Sequence, residues 1–320
     1  MQEEKNNNLI NLDDQINLNE IFFVLIKGKK SIILSTFILF FAGIIYSFYL
    51  PNIYESRALL APVDESSLLG ESLSQISGLA SFAGINLSQD SKNTNSKKAI
   101  EMMESLNFFE NHILPKIFLP DLMALQSWEP QKNILLYDES IYQQNSDKWV
   151  RDFTFPKKLI PSAQESHEVF NENHFNLNVD NRTGYVKLTV KHQSPYLARQ
   201  WTEIIFNEIN RFYRQKDKAE AERAVNYLKN QMAKTSFSEI KQVTASLLQK
   251  EIQILTLIEA NKEYVFEYVY PPDVMEEKSE PSRIFIISFM TFLGILLGVL
   301  IVLFNHYFFK KKKTLEITNS

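Results

Sequence analysis

Two long apolar runs without a charge constrain this chain more than any other feature. No Asp, Glu, Lys or Arg occurs from Ser31 to Tyr54, nor from Ile284 to Phe309. Each run exceeds the roughly 20 residues that an α-helix needs to cross about 30 Å of hydrocarbon. Lys27, Lys29 and Lys30 precede the first run, and Lys310, Lys311, Lys312 and Lys313 follow the second. Basic residues concentrate on the cytoplasmic side of spans, so these lysines read as topology anchors that put both termini inside. The pattern predicts transmembrane helices at 31–50 and 284–309, cytoplasmic tails at 1–30 and 310–320, and one extracytoplasmic domain at 51–283. A cleaved signal peptide fits poorly: the first run follows about 30 residues read as polar and outlasts the roughly 7–15-residue core of a signal. A pair of buried core helices is the bland alternative, and the uniform apolarity of Ile284–Phe309 argues against it. Neither tail is long enough for a folded output domain.

Composition removes several chemistries. The chain has no cysteine, which rules out disulfides, thiolate metal sites, Fe–S clusters and a cysteine nucleophile. Eight glycines and 11 prolines in 320 residues are few turn-formers, which favours long elements. A net charge of −4 argues against a general nucleic-acid binder, and no nucleic-acid partner is expected.

Within the domain, Tyr54–Leu60 reads as a strand leading straight out of the first span. Leu68–Gln89 reads as a loop with short helical turns and Asp90–Lys98 as a polar linker. Lys98–His112 reads as a helix with Ile100, Met103, Leu106 and Phe109 on one face. Residues 113–173, with five prolines, read as irregular with short helices. Phe175, Leu177 and Val179, then Val186, Leu188 and Val190, alternate on either side of Asp180–Gly184, which predicts a β-hairpin. Tyr264–Tyr270 reads as a last strand, stopped by Pro271 and Pro272. A sheet of these four strands would lie near the membrane.

Ser194-Pro195 is a helix start, with a hydroxyl at the cap and proline at the first position. Leu197, Trp201, Ile205, Ile209 and Phe212 keep helical spacing, continued by Ala221, Val225, Leu228 and Met232. The spacing predicts helices at about 195–233 and 238–260, joined as a hairpin projecting from the sheet. An exposed Ala221/Val225/Leu228/Met232 stripe would be a costly apolar patch, so it is read as an oligomer face. The fold class is thus an α+β membrane protein: two transmembrane helices flanking a domain with a small membrane-proximal sheet and a long protruding helical hairpin.

Catalytic signatures are absent. No His-Glu-x-x-His or Gly-x-Ser-x-Gly occurs. Gly28-Lys29-Lys30-Ser31 imitates the end of a phosphate loop, but Phe23 stands where that loop needs its first glycine. His192 and His306 read as structural or surface residues. No cofactor or metal is expected, and nothing supports an enzyme. Gly294-Ile295-Leu296-Leu297-Gly298 is a small-xxx-small motif that permits close helix approach.

Three blocks resemble the Wzz-type chain-length determinants, the class 1 polysaccharide co-polymerases. The first is INLNEIFFVLIKGKKSIIL followed by LPNIYESRALLAP, over residues 16–62. The second is LLQKEIQILTLIEANKEYVFEYVYPPDVMEEKSEPSR and the span after it, about 247–309. Between them, NVDNRTGYVKLTVKHQSPYLARQWTEIIFNEINRFY is similar in order and character. The family's proline-rich segment before the second span is thinned here to Pro271, Pro272 and Pro281.

The resemblance implies a non-catalytic regulator in the bacterial inner membrane, with its main domain periplasmic and assembled as a ring-like homo-oligomer. It implies action with a Wzy-type polymerase to set the modal length of lipopolysaccharide O-antigen, with membrane lipid and the growing lipid-linked polysaccharide as further partners. On that reading Gly294 and Gly298 are candidate span contacts to the polymerase, and the helical hairpins support a cavity for the growing chain. Two alternatives stand beside it. One is a capsule or exopolysaccharide co-polymerase working with a separate tyrosine kinase or exporter. The other is a periplasmic ligand sensor with a partner output protein.

Overall fold

The computed structural model describes residues 18–63, 94–261 and 263–318. In chain order its principal elements are α1 (Leu18–Lys27), α2 (Lys29–Tyr49), β1 (Tyr54–Pro62), α3 (Thr94–Met103) and α4 (Leu119–Met123). Then come the short hairpins β2 (Leu125–Glu129) with β3 (Ile134–Tyr137), and β4 (Tyr142–Gln143) with β5 (Lys148–Trp149). They are followed by α5 (Ala163–Val169), β6 (Phe175–Val179), β7 (Val186–His192), α6 (Pro195–Lys234), α7 (Ser238–Ala260), β8 (Phe266–Tyr270) and α8 (Arg283–Thr318). The chain divides into two units, residues 1–51 with 280–320, and residues 52–279.

In the first unit, α2 and the Arg283–Phe308 part of α8 are long and apolar enough to cross a membrane. Most of their apolar surface is exposed, Phe37, Ile38, Phe292 and Phe304 included. Such a surface is costly in water and at home in lipid. The stretch before them is not the polar tail expected from the sequence. Ile21–Ile26 is continuously apolar and helical in α1, with Phe22 and Phe23 two-thirds exposed.

The second unit is built on a four-stranded antiparallel sheet of order β6-β7-β1-β8. Its strands are those singled out by alternation. The alternate residues Leu60, Val186, Leu188, Val190 and Phe266 turn one sheet face into the core. Helix α6 crosses that face and buries Trp201, Ile205 and Ile209 against it, with Phe108, Phe109 and Ile113 closing the side. Each fully buried large side chain of this kind contributes about 1.5–3 kcal/mol. Asp180 shapes the β6–β7 turn by accepting from the Arg182 N–H (2.9 Å) and the Thr183 hydroxyl (2.8 Å), and Gly184 takes φ +75° there.

Helix α6 has 40 residues, or ~60 Å at 1.5 Å per residue. Its first half belongs to the core. Its second half runs against α7, which returns antiparallel after the Thr235–Phe237 link. At the foot of this excursion Asn210, buried on α6, receives the returning chain. Its Oδ1 accepts from the N–H groups of Tyr264 (3.2 Å), Val265 (2.7 Å) and Phe266 (3.0 Å), and its Nδ2 donates to the carbonyls of Phe206 (3.2 Å) and Phe266 (3.0 Å). The strand expected from Tyr264 starts at Phe266, after Tyr264 and Val265 have given their N–H groups to Asn210.

The segment after β8 then runs beside the chain that led into the sheet. The Ser279 N–H donates to the Ile53 carbonyl (2.8 Å) and its hydroxyl to Glu55 (2.8 Å). Lys278 reaches Asn52 (3.2 Å), and the Ser56 hydroxyl donates to the Asp273 carbonyl (3.0 Å). The two chain ends of this unit therefore emerge side by side.

Two expectations need correction. The helix read over Lys98–His112 is two pieces: α3 starts at Thr94 and ends at Met103. Ser105 then caps a new turn by accepting from the Phe108 N–H (3.2 Å), because a serine side chain competes with helix continuation. Leu106 consequently lies outside the core, while Phe108 lies within it. Residues 113–173 hold two hairpins rather than only irregular chain, with Asn133 and Asp147 at positive φ in the turns. The Trp128 indole donates to Asn133 (2.8 Å) and the Tyr142 hydroxyl to Asp147 (2.6 Å). The loop expected at Leu68–Gln89 lies outside the described residues.

Asn210 makes a stability prediction. Asn210→Ala leaves three buried N–H groups without their acceptor and should cost about 3 kcal/mol, or roughly 6–12 °C in Tm for a domain of this size. Thermal unfolding of the full chain in detergent, followed by circular dichroism, measures it. A melt unchanged by the substitution contradicts the role given to Asn210.

Candidate functional site

The glycines of the second span lie against the first span of the same chain. A Cβ on Gly294 would meet Thr36 Cα at 2.7 Å and Leu39 Cβ at 3.3 Å, and one on Gly298 would meet the Ser35 hydroxyl and Ile32 Cα at 2.7 Å. The Ser35 hydroxyl donates to the Gly294 carbonyl at 2.9 Å. Small residues let two backbones approach closely in lipid, where no hydrophobic force joins helices. The sequence marks Gly294 and Gly298 as candidate span contacts, and in the structure both lie against the first apolar helix of the same chain. Gly43 completes this contact, since a Cβ there would meet Met290 Cβ at 2.9 Å. Gly28 sits likewise against Val302. The signal for Gly43 was present as a second small-xxx-small pair, Gly43 with the fully buried Ser47.

The Ala221/Val225/Leu228/Met232 stripe packs within the helix pair of the chain itself. Ala221 and Val225 are buried, and Leu228 and Met232 half-buried, on the part of α6 that runs against α7. Lys218 and Glu259 form an ion pair across the two helices. The exposed apolar side chains lie on α7 instead, at Ile240, Val243 and Leu247, each about half exposed or more. Phe237 precedes them, also exposed. The helix pair has satisfied one stripe internally and left the other outward.

Pro271 and Pro272 end β8, since proline has no N–H to continue a ladder. Both line an open groove of about 470 Å³ between α6 and β8. Pro281 stands just before α8. Lys27 ends α1, Lys29 and Lys30 begin α2, and all three are exposed. Lys310–Lys313 continue α8.

No group of three or more metal-ligating side chains occurs among the described residues. The buried histidines are structural. His192 accepts from the Ser194 N–H at Nδ1 (2.9 Å), which leaves the proton on Nε2, 3.3 Å from the Asp121 carbonyl. Its ring packs on Trp201 and beside His174. Burial, with His174 adding to it, pushes the His192 imidazole down to about 3, and burial lowers His174 as well. Asp121, largely buried, is pushed up by burial and takes a hydrogen bond from the Tyr137 hydroxyl at 2.6 Å.

Comparison with known proteins finds two solved structures and one family model that are similar to the chain. The structures are a full-length bacterial polysaccharide co-polymerase and a fragment of WzzB, a polysaccharide co-polymerase from Salmonella Typhimurium. The former is 13% identical with TM-score 0.40, covering 92% of this chain and 99% of that one. The latter is 10% identical with TM-score 0.36, covering 72% and 100%. No curated protein matches. Residues 14–113 match the Wzz family model, chain length determinant protein. The family resemblance read from the sequence thus holds over the N-terminal third of the chain.

Two predictions follow from the spans and the histidines. Gly294→Leu and Gly298→Leu should each weaken the span pair by about 1–3 kcal/mol through overpacking. Helix unfolding in mixed detergent measures it, with Leu296→Ala on the exposed face as the unaffected control. The buried His192 gives acid sensitivity. The unfolded chain takes up a proton below about 6.5, whereas the folded one resists until about 3, so stability falls as pH drops through that window. At pH 5 this one group should remove about 2 kcal/mol relative to pH 7.5. His192→Asn, which keeps an acceptor for Ser194, should flatten the dependence; an equally steep melt in the variant would contradict it.

Proposed function

We propose that this chain is a non-catalytic regulator of polysaccharide polymerisation. It sets the modal length of lipopolysaccharide O-antigen together with a Wzy-type polymerase, as a homo-oligomer in the bacterial inner membrane. Its termini are cytoplasmic and the α/β unit periplasmic. The observation that carries this reading is the match of residues 14–113 to the chain-length-determinant family, a segment that includes the first span and β1. The two membrane-length helices that bracket one α/β unit support it. The lysines beside each span support the orientation.

The spans pair through their glycine faces within the chain, so contact with a polymerase uses their outward apolar faces. The α7 stripe of Ile240, Val243 and Leu247 replaces Ala221–Met232 as the surface that meets neighbouring copies, because an exposed patch of that kind is costly unless covered.

Silver-stained lipopolysaccharide from a deletion strain, beside its parent and a complemented strain, tests the reading. The expected result is loss of a modal band cluster, random lengths in its place, and restoration on complementation. An unchanged ladder would contradict the O-antigen role. Altered capsule or exopolysaccharide lengths in the same strain would move the activity to that polymer.

A further inference from the structure

The groove between α6 and β8 is lined by charged, amide, aromatic and proline side chains. Arg199, Glu203 and Asn207 lie along it at four-residue spacing on one helix face, and Tyr268, Tyr270 and Asp273 form the opposite wall. Arg199 Nε donates to Glu203 at 2.9 Å, and both side chains remain more than two-fifths exposed. The Tyr268 ring is stacked on Phe206 with centroids 3.7 Å apart, so this aromatic wall is held rigidly. Tyr270 is 54% exposed. The β1–β8 register slips by one residue between Leu59 and Leu60, so Val269 is an extra residue between the two tyrosines. Bulges of this kind bend an edge strand and re-aim its side chains.

The chemistry points to an uncharged polyhydroxyl ligand. Two carboxylates stand against one guanidinium, which disfavours a phosphate. A fixed ring and an exposed ring offer flat apolar faces to sugar C–H groups, while the amide, guanidinium and carboxylates can donate to and accept from adjacent hydroxyls. About 470 Å³ falls within the range of small-ligand sites. A protein strand added to the edge fits less well, because the slip at Val269 and the missing N–H groups of Pro271 and Pro272 spoil the ladder.

We propose that this groove is a saccharide subsite that binds one or a few neutral sugar residues of the polymer whose length the chain regulates. The proposal rests on the function proposed above and adds the place of contact. Tyr270 supplies the stacking face, and Asn207 with the Arg199–Glu203 pair supplies the hydroxyl contacts.

The test uses the full chain in detergent and fragments of one to three repeats, released by mild acid from the strain's own surface polysaccharide. Saturation-transfer NMR and a fluorescence titration read binding. Saturable binding is expected for the unmodified chain. Tyr270→Ala and Asn207→Ala should each weaken it about tenfold, Tyr270→Phe should keep most of it, and Glu139→Gln, exposed between β3 and β4, should leave it unchanged. Asn207→Ala and Glu203→Gln alter only the helix surface, so they decide the matter if Tyr270→Ala does not fold.

No saturable binding, or equal binding in the groove variants, overturns the subsite. So does a photo-crosslinker at Tyr270 that captures protein instead of glycan. A chain that restores polymer length in cells but binds no fragment removes the groove and leaves the function. A deletion that changes no surface polymer removes the function, while the same titration still decides the groove.

Discussion

The chain enters and leaves the α/β unit side by side, which requires its first and last strands to be neighbours. The antiparallel pairing of β1 with β8 answers that constraint, because the last strand runs back along the first. Ser279 and Lys278 fasten the outgoing segment to Ile53, Glu55 and Asn52. Between these two strands the chain makes its longest excursion, out along α6 and back along α7. Asn210 bridges the helix and the start of β8, so the return has a fixed landing point. A buried amide costs several kcal/mol if left unpaired, and here one side chain joins five bonds.

The two units hold together by different physics. In the α/β unit the force is removal of apolar surface from water, concentrated where α6 lies across the sheet. In the paired spans that force is absent, and close backbone contact takes its place at Gly43, Gly294 and Gly298. The same sequence economy appears in the hairpin. Its inner stripe, Ala221 and Val225, is spent between the helices. What it offers outward is the apolar side of α7. Among the described residues, exposed apolar side chains include the outward faces of the two apolar helices, that stripe, and Tyr270 beside β8.

Much of this architecture was legible because its signals are local. The candidate spans follow from two runs without Asp, Glu, Lys or Arg, the β6–β7 hairpin from alternation, β1 from weak alternation after the first run, β8 from alternation stopped by Pro271 and Pro272, and the helix read at about 195–233 from its Ser-Pro start and apolar spacing. What sequence periodicity does not give is which side of a stripe finds a partner. Ala221–Met232 and Ile240–Leu247 look equally apolar along the chain, and only the packing of α6 on α7 decides which is covered. Asn210 was missed because a polar residue at a core position reads as an exception, although its spacing from Phe206 and Tyr213 marks it as buried. The hairpins in 113–173 escaped because their strands are two to five residues long and their turns depend on Asn133 and Asp147 at positive φ. The apolar run Ile21–Ile26 was folded into a tail described by its charged flanks.

Gly43, Gly294 and Gly298 set the two apolar helices face to face within one chain. The native chain has no cysteine, which gives a clean background for cross-linking. Gly43→Cys combined with Met290→Cys sets two thiols at positions whose Cβ atoms are 2.9 Å apart, about 1 Å short of ordinary disulfide spacing. The double variant is oxidised in membrane vesicles, and the intervening unit is then cut by protease. The account predicts a monomer-sized band whose two span fragments stay joined until reduced. Cross-linked dimers alone, or fragments that separate without reductant, would contradict it.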